Sequence, residues 1–382
     1  MSINELPDDC LLTIFDYIQD LQDLINCFKV CEKWSNVIVG RTKRVKYLTD
    51  QWFYPPDHFY SLVNRPVDVT CLSKLFPNLR FLFFYFSQIA DVTILLHAKV
   101  PIEDIDKLII DSESLKGIIY NKYLDFEWKM AYANLEMLST RYIDSSMKGI
   151  YSNVKQLHLW KCDFKYVAHC FPNLERLQIL NLEDFPEYYS DAPVLAKLKI
   201  VEINLHLNCR KGVCCSLVFM DSCPALQSAH IETECRRIVF NDAIKHSNLR
   251  DLVLQLSKSI MWNDLRRLLS KYPNLKHLAI RGTRLKDEHI KQLILILPKL
   301  TLLDIRESRG VTQEANNYVQ DYCKHHGRSI KFYFKKDDKQ IESDWPQLLN
   351  HAEQICRGFD FMEHCFFKDF GSLPRFLDPI DD

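Results

Sequence analysis

The sequence predicts an α/β protein in which three short N-terminal helices precede a curved solenoid of about ten to twelve repeats, with parallel strands inside and helices outside. Three observations carry that reading. Apolar residues keep helical spacing through the first forty-five positions, a short apolar pattern then recurs ten times at intervals of 19 to 31 residues, and glycine is scarce. Average usage would give a chain of 382 residues roughly 27 glycines, and this one has 9, no two closer than thirteen residues. Loop motifs built on paired glycines are therefore missing: the phosphate-cradling P-loop, the dinucleotide fingerprint, the kinase glycine loop and the nucleophile elbow. Enzymes that approach a nucleotide with bare backbone are excluded as a group. Repeats turned by proline, in contrast, need few residues at positive φ.

The N-terminal segment is read from its spacing. Asp8 is placed to cap a first helix carrying Leu11, Leu12, Phe15 and Ile18, and Asp20 a second carrying Leu21, Leu24, Ile25 and Phe28. A third runs from Glu32 to Ile38 with Trp34, Val37 and Ile38. Three helices of this length bury little surface on their own. Their apolar excess is expected to be an interface.

The string Leu6-Pro7, Leu11-Leu12, Ile14-Phe15, Tyr17-Ile18, Asp23-Leu24, Cys27, Val30-Cys31 and Trp34 resembles an F-box, which sets a domain at 1–45. The resemblance implies docking through Leu6, Pro7, Leu11, Phe15, Ile18, Leu24, Val30 and Trp34 onto the small S-phase-kinase-associated adaptor. Through that adaptor it implies attachment to the cullin and RING subunits of an SCF-type ubiquitin ligase.

Beyond residue 45 the chain repeats. An anchor with apolar residues three and five further on appears as Leu79-Leu82-Phe84, Ile105-Leu108-Ile110, Val154-Leu157-Leu159, Leu174-Leu177-Ile179 and Leu195-Leu198-Ile200. It continues as Leu249-Leu252-Leu254, Leu275-Leu278-Ile280 and Leu300-Leu303-Ile305, with degenerate members Leu135-Leu138-Thr140 and Leu226-Ala229-Ile231. The pattern suits a short strand whose last two apolar side chains point inward while the residues between them face solvent. Helical stretches such as Asp264 to Lys271, with Asn263 placed to cap it, lie between strands. Proline two residues before the anchor, at 77, 172, 193, 224, 273 and 298, ends the helix and extends the backbone. The intervals are those of leucine-rich repeats. Thr283 to Ile290, Gly310 to Ala315 and Cys162 are similar to the inter-strand parts of F-box leucine-rich-repeat proteins, so the solenoid is set at 46–334, with Val45 to Leu48 and Ile330 to Phe334 as end units.

In such a solenoid the concave face takes the residues two, four and six beyond each anchor. Phe81, Phe83, Tyr85, Arg141, His158, Trp160, Arg176, Lys197 and Lys199 fall on it, a cationic and aromatic patch suited to an acidic or phosphorylated protein substrate. Residues 335–382 open with a charged break and continue with the apolar, helical-looking stretch Trp345 to Phe370. They are read as a C-terminal cap or tail; the alternative is that the tail, with Phe376 and Leu377, folds back over the concave face.

The expectation is a substrate receptor with no catalytic role, since no catalytic constellation stands out, and with no cofactor. The competing reading is a leucine-rich-repeat scaffold or inhibitor outside the ubiquitin system. His206, Cys209, Cys214, Cys215, Cys223, His230 and Cys235 cluster but lack CxxC spacing, so no metal is expected. With 49 basic against 50 acidic residues the formal charge is −1, which gives no global attraction to nucleic acid or anionic membrane. The N-terminus carries acid where a secretory leader needs base, no stretch reaches eighteen apolar residues, and no asparagine heads a glycosylation sequon. Fourteen cysteines scattered through apolar segments then read as reduced thiols in cytosol or nucleus.

Overall fold

The first helices form where apolar spacing places them. In the computed structural model they are α1 (Asp8–Asp16), α2 (Leu21–Phe28) and α3 (Glu32–Thr42). Leu11, Phe15, Leu21, Leu24, Ile25 and Ile38 are buried, and Phe15 meets Trp34 edge to face at 5.1 Å. Asp20 caps α2 by accepting the Asp23 N–H at 2.9 Å. Asp8 does not cap α1: Pro7 holds that position, and Asp8 sits in the first turn, where its charge complements the helix dipole. The structure describes residues 3–49, 57–60, 67–84, 102–124, 135–143, 149–160, 164–180, 194–205, 213–214, 216–257, 260–306, 308–336, 339–346 and 353–380. They divide into two units, Met1–Asp144 and Ser145–Asp382.

In the first unit the helices lead into β1 (Tyr47–Thr49), β2 (His58–Tyr60), α4 (Leu72–Leu75), β3 (Phe81–Phe84), α5 (Ile102–Asp111), β4 (Gly117–Leu124) and β5 (Met137–Ile143). The Thr42 hydroxyl donates to the Leu75 carbonyl, tying α3 to α4. The strands are parallel, in the order β2-β1-β3-β4-β5. The repeat expected at Ile105-Leu108-Ile110 is instead the helix α5, with Leu108 and Ile109 buried and Ile110 64% exposed. Spacing of three and five fits a strand, but Ile105, Leu108 and Ile109 equally satisfy three and four, the helical interval. The strand of this repeat is β4, anchored at Leu115 with Ile118 facing the core. Gly117 is required there, because a Cβ would lie 2.5 Å from the Phe81 ring.

The second unit carries β6 (Gln156–Leu159), α6 (Phe164–Val167), β7 (Arg176–Ile179), β8 (Ile200–Leu205), β9 (Val213–Cys214), α7 (Ser216–Asp221), β10 (Ser228–Thr233) and β11 (Arg237–Ile238). It continues through β12 (Asp251–Leu256), α8 (Trp262–Leu269), β13 (His277–Arg281), α9 (Asp287–Ile296), β14 (Leu302–Asp304), α10 (Gln313–His326) and β15 (Lys331–Tyr333). Its main sheet is parallel, in the order β6-β7-β8-β10-β12-β13-β14-β15, while β9 and β11 form a separate parallel pair. The residues three and five beyond each anchor, from Leu157 and Leu159 to Leu303 and Ile305, are buried as the pattern requires. Helix α8 buries Leu265, Leu268 and Leu269, but it starts before Asn263, with Met261 in the capping position.

One register differs from expectation by three residues. Arg176 pairs with Ile200 and Leu177 with Val201, so the anchor of β8 is Leu198 rather than Leu195. Both Leu195-Leu198-Ile200 and Leu198-Val201-Ile203 satisfy the apolar pattern, and Pro193 favours the wrong one. The chain turns at Ala196 and Lys197, the place taken by Pro172 and Asn173 one repeat earlier.

The asparagine before the anchor stitches repeats together. Asn173, Asn248 and Asn274 donate through Nδ2 to the carbonyls of Ser152, Pro224 and Ser247 at 2.7, 2.9 and 2.7 Å, and Asn78 does the same to Lys43 at 2.6 Å. Each bond satisfies a turn carbonyl that the parallel ladder leaves out.

The last segment holds α11 (Lys339–Asp344), β16 (Ile355–Arg357), α12 (Phe361–His364) and β17 (Phe376–Asp378). The helical reading of Trp345 to Phe370 is therefore incorrect among the described residues: β16 is a strand paired in parallel with β17, and α12 is a single turn capped by Asp360. Apolar periodicity alone does not separate helix from strand in short runs.

Candidate protein-interaction sites

The eight F-box positions have different environments. Leu11, Phe15 and Leu24 are buried inside the helical module, Leu6, Ile18 and Trp34 are half-buried, and Pro7 and Val30 are exposed. Ile3, Ile14 and Tyr17 add exposed apolar surface, Tyr17 at 83%. The module thus keeps a small core and leaves apolar side chains outside it. Arg41 braces that surface from within, donating to the Phe15 carbonyl and pairing with Asp16 at 2.9 Å.

In the second unit the residues two, four and six beyond each anchor form the sheet face opposite the helices. The C-terminal segment covers it. Phe361, Cys365, Phe366, Phe370, Leu373 and Leu377 form one buried cluster with Ile200, Val253, Ala279, Leu302 and Tyr333 of the sheet. The tail-over-face alternative is the arrangement found, and it makes the segment part of a core. Polar residues fasten the cover by its backbone. Gln156 donates from Nε2 to the Leu377 carbonyl at 2.6 Å and accepts the Leu377 N–H at 3.0 Å. The Arg176 guanidinium donates to the carbonyls of Pro374 and Arg375 at 2.6 and 2.8 Å. Arg281 does the same to Phe366 and Lys368 at 3.0 and 2.7 Å.

Charges under the cover are matched or suppressed. Arg176 meets Glu202 at 2.6 Å, both fully buried. Burial pushes the Glu202 carboxyl above its ordinary value, against the pull of that guanidinium. Burial, then the charges of Arg375 and Arg176, holds His158 well below the usual imidazole range, and burial with Arg281 does so for His230. Cys356 and Cys365 have thiols raised by burial, Cys356 to about 11, so neither is poised as a nucleophile.

The expected cationic patch is not assembled. Arg176 and His158 lie beneath the C-terminal segment, and Trp160 is half-buried. With the anchor at Leu198, Lys197 and Lys199 precede β8 and leave the face; Lys197 donates to Asn173 Oδ1 at 2.8 Å and Lys199 pairs with Glu175 at 2.7 Å. Their face positions belong to Ile200, Glu202 and Asn204. In the first unit Phe81 and Phe83 are buried, Phe81 stacking on Tyr47 at 5.4 Å, and Arg141 is half-buried with a partner of its own. Tyr85 lies outside the described residues. Solvent-facing positions written with Val253, Ala279 and Leu302 are the signal that something covers this face.

Of the cysteine and histidine cluster, His206, Cys209 and Cys215 lie outside the described residues. Cys223 donates to the Phe219 carbonyl, whereas His230 packs on Phe370 beneath the cover. Among the described residues no three His, Cys, Asp or Glu side chains converge to hold a metal ion, and no helix is long and apolar enough to cross a membrane.

Residues 3–42 match the F-box-like family model, a match confined to the N-terminal helical module. No curated protein matches the chain.

Proposed function

We propose that this chain is a substrate-recognition subunit of an SCF-type ubiquitin ligase, in which an F-box module binds the adaptor and a leucine-rich-repeat solenoid binds the protein to be ubiquitinated. The observation that carries the reading is the F-box-like match over residues 3–42, on three helices that leave Pro7, Ile14, Tyr17 and Val30 exposed. F-box domains dock onto the helical adaptor of cullin ligases. The parallel strands, one per repeat and registered anchor to anchor, support the repeat assignment.

The mechanism is tethering, with no chemical step performed by the chain. One region holds the adaptor and another the target, which keeps a target lysine near the charged conjugating enzyme and raises its effective concentration. Free thiols among the described residues, Cys10 exposed and Cys71, Cys170, Cys223, Cys235, Cys356 and Cys365 buried, agree with a cytosolic or nuclear setting. The test is co-purification of adaptor and cullin with the full chain. Tyr17→Ala with Val30→Asp changes exposed residues only, and is expected to lower adaptor recovery at least tenfold with the thermal midpoint unchanged. Equal recovery by the variant, or none by the unmodified chain, overturns the proposal.

A further inference from the structure

The sheet face is occupied by the chain's own C-terminal segment, so a partner has to be read beside that cover. A cleft of about 410 Å³ opens where the cover crosses the starts of β8, β10, β12 and β13. One side carries Arg250, Lys276 and Lys199, the last paired with Glu175 at 2.7 Å, and the other Phe359 and Met362. Ser228, Asp251 and His277 also line it.

The charges in this cleft are unevenly engaged. Asp251 accepts the Ser228 hydroxyl on Oδ2 and the His277 ring on Oδ1, each at 2.6 Å. Asp360 accepts the Met362 and Glu363 N–H groups at 2.8 and 3.1 Å. Asp251 is thus engaged through both oxygens, and Asp360 through Oδ1, which caps α12. Arg250 and Lys276 are exposed and make no ion pair among the described residues. They sit on neighbouring rungs, since the Lys276 N–H donates to the Arg250 carbonyl at 2.8 Å. Adjacent strands lie only about 4.8 Å apart, and like charges side by side repel. An anion placed between them relieves that repulsion and can take a forked bond from the guanidinium.

We infer that this cleft binds an anionic side chain, phosphate or carboxylate, within an extended protein segment whose neighbouring apolar residue packs on Phe359 and Met362. The inference rests on the receptor reading above and names the chemistry of its target. A nucleic acid would want a track of cations along successive phosphates, whereas this site offers Arg250 and Lys276, a third cation, Lys199, already paired with Glu175, and an apolar wall.

The test uses the full chain and randomised nine-residue peptides with a fixed central phosphoserine, glutamate, serine or lysine. Phosphoserine or glutamate peptides are expected to bind at least tenfold tighter than serine and lysine ones, with apolar residues enriched beside the centre. Preference for phosphoserine alone identifies a target controlled by phosphorylation; preference shared with glutamate identifies an acidic one. Arg250→Glu with Lys276→Glu should abolish the preference, and Lys299→Glu, an exposed charge outside the cleft, should retain it. No preference, or a preference that survives the double reversal, overturns the inference. So does an equally strong, equally lost affinity for a single-stranded oligonucleotide. Adaptor recovery by the same double variant separates the two proposals: retained recovery with lost peptide preference supports the cleft, and an unmodified chain that binds peptide without adaptor overturns the ligase reading alone.

Discussion

His158 and His230 occupy the same row of the sheet face, and burial keeps both imidazoles neutral well below their ordinary range. The consequence for stability has a definite sign. As pH falls below 6.5, the unfolded chain takes up a proton at each histidine that the folded chain refuses, so the folded state is destabilised by up to about 1.4 kcal/mol per pH unit for each. Glu202, raised by burial, works in the opposite sense as pH falls toward its ordinary value, so the histidine slope is read at the upper end of the range. Urea denaturation between pH 7.5 and 5.5 should show this fall, and His230→Gln should reduce the slope, with His158 and the less buried His289 and His364, also lowered by burial, carrying the rest. An unchanged slope would remove the argument. These residues were identifiable in the sequence as facing away from the helices, but not as buried. What buries them comes from more than a hundred residues away, and no local pattern encodes that.

At the scale of the repeat, the apolar framework was legible and the polar stitching was not. Leu157, Leu177, Leu252, Leu278 and Leu303 point inward because strand geometry leaves them no other place. The two units misread, at Ile105 and Leu195, are those where the same apolar string satisfies a second spacing or a second register. The recurring Pro-Asn-Leu was visible, yet only the proline and leucine had an evident role. The asparagine's role needs the turn of the preceding repeat at hydrogen-bond distance. Asn173→Ala and Asn274→Ala should each cost about 1 kcal/mol, and the double variant the sum to within about 0.5 kcal/mol, because the sites share no partner. Chemical denaturation of the three variants measures this, and a loss below 0.3 kcal/mol at both sites would make the bonds incidental.

On the scale of the whole molecule, the N-terminal module and the repeat length are legible in the sequence, whereas residues 335–382 carry no local pattern that separates an end cap from a cover over the sheet face. The structure makes the C-terminal segment a second core layer. Phe366 of the cover is fully buried against the sheet, and truncating a phenylalanine in such a place costs about 3–5 kcal/mol. That is a large share of the roughly 5–15 kcal/mol by which a domain is stable. Ending the chain before Glu353 is therefore expected to abolish a cooperative thermal transition in the second unit and to produce strong binding of a hydrophobic dye. A truncated chain that melts as before, without dye binding, would show the cover to be dispensable. The charge reading failed for the same reason: Arg176 looked available because its partners, Glu202 and the backbone at Pro374, were out of view.

The bond between Gln156 and Leu377 also has a consequence in time. It joins residues 221 positions apart. At about 5–20 residues per second of synthesis, the first strands of the second unit wait on the order of ten to forty-five seconds for the segment that covers them. Throughout that interval Val253, Ala279 and Leu302 emerge on an open face, and contacts of such separation form late in folding. The nascent chain thus passes through a sticky, half-finished state on every ribosome that makes it. A stop codon ahead of Glu353, which removes the covering residues from Phe361 to Leu377, would leave it there.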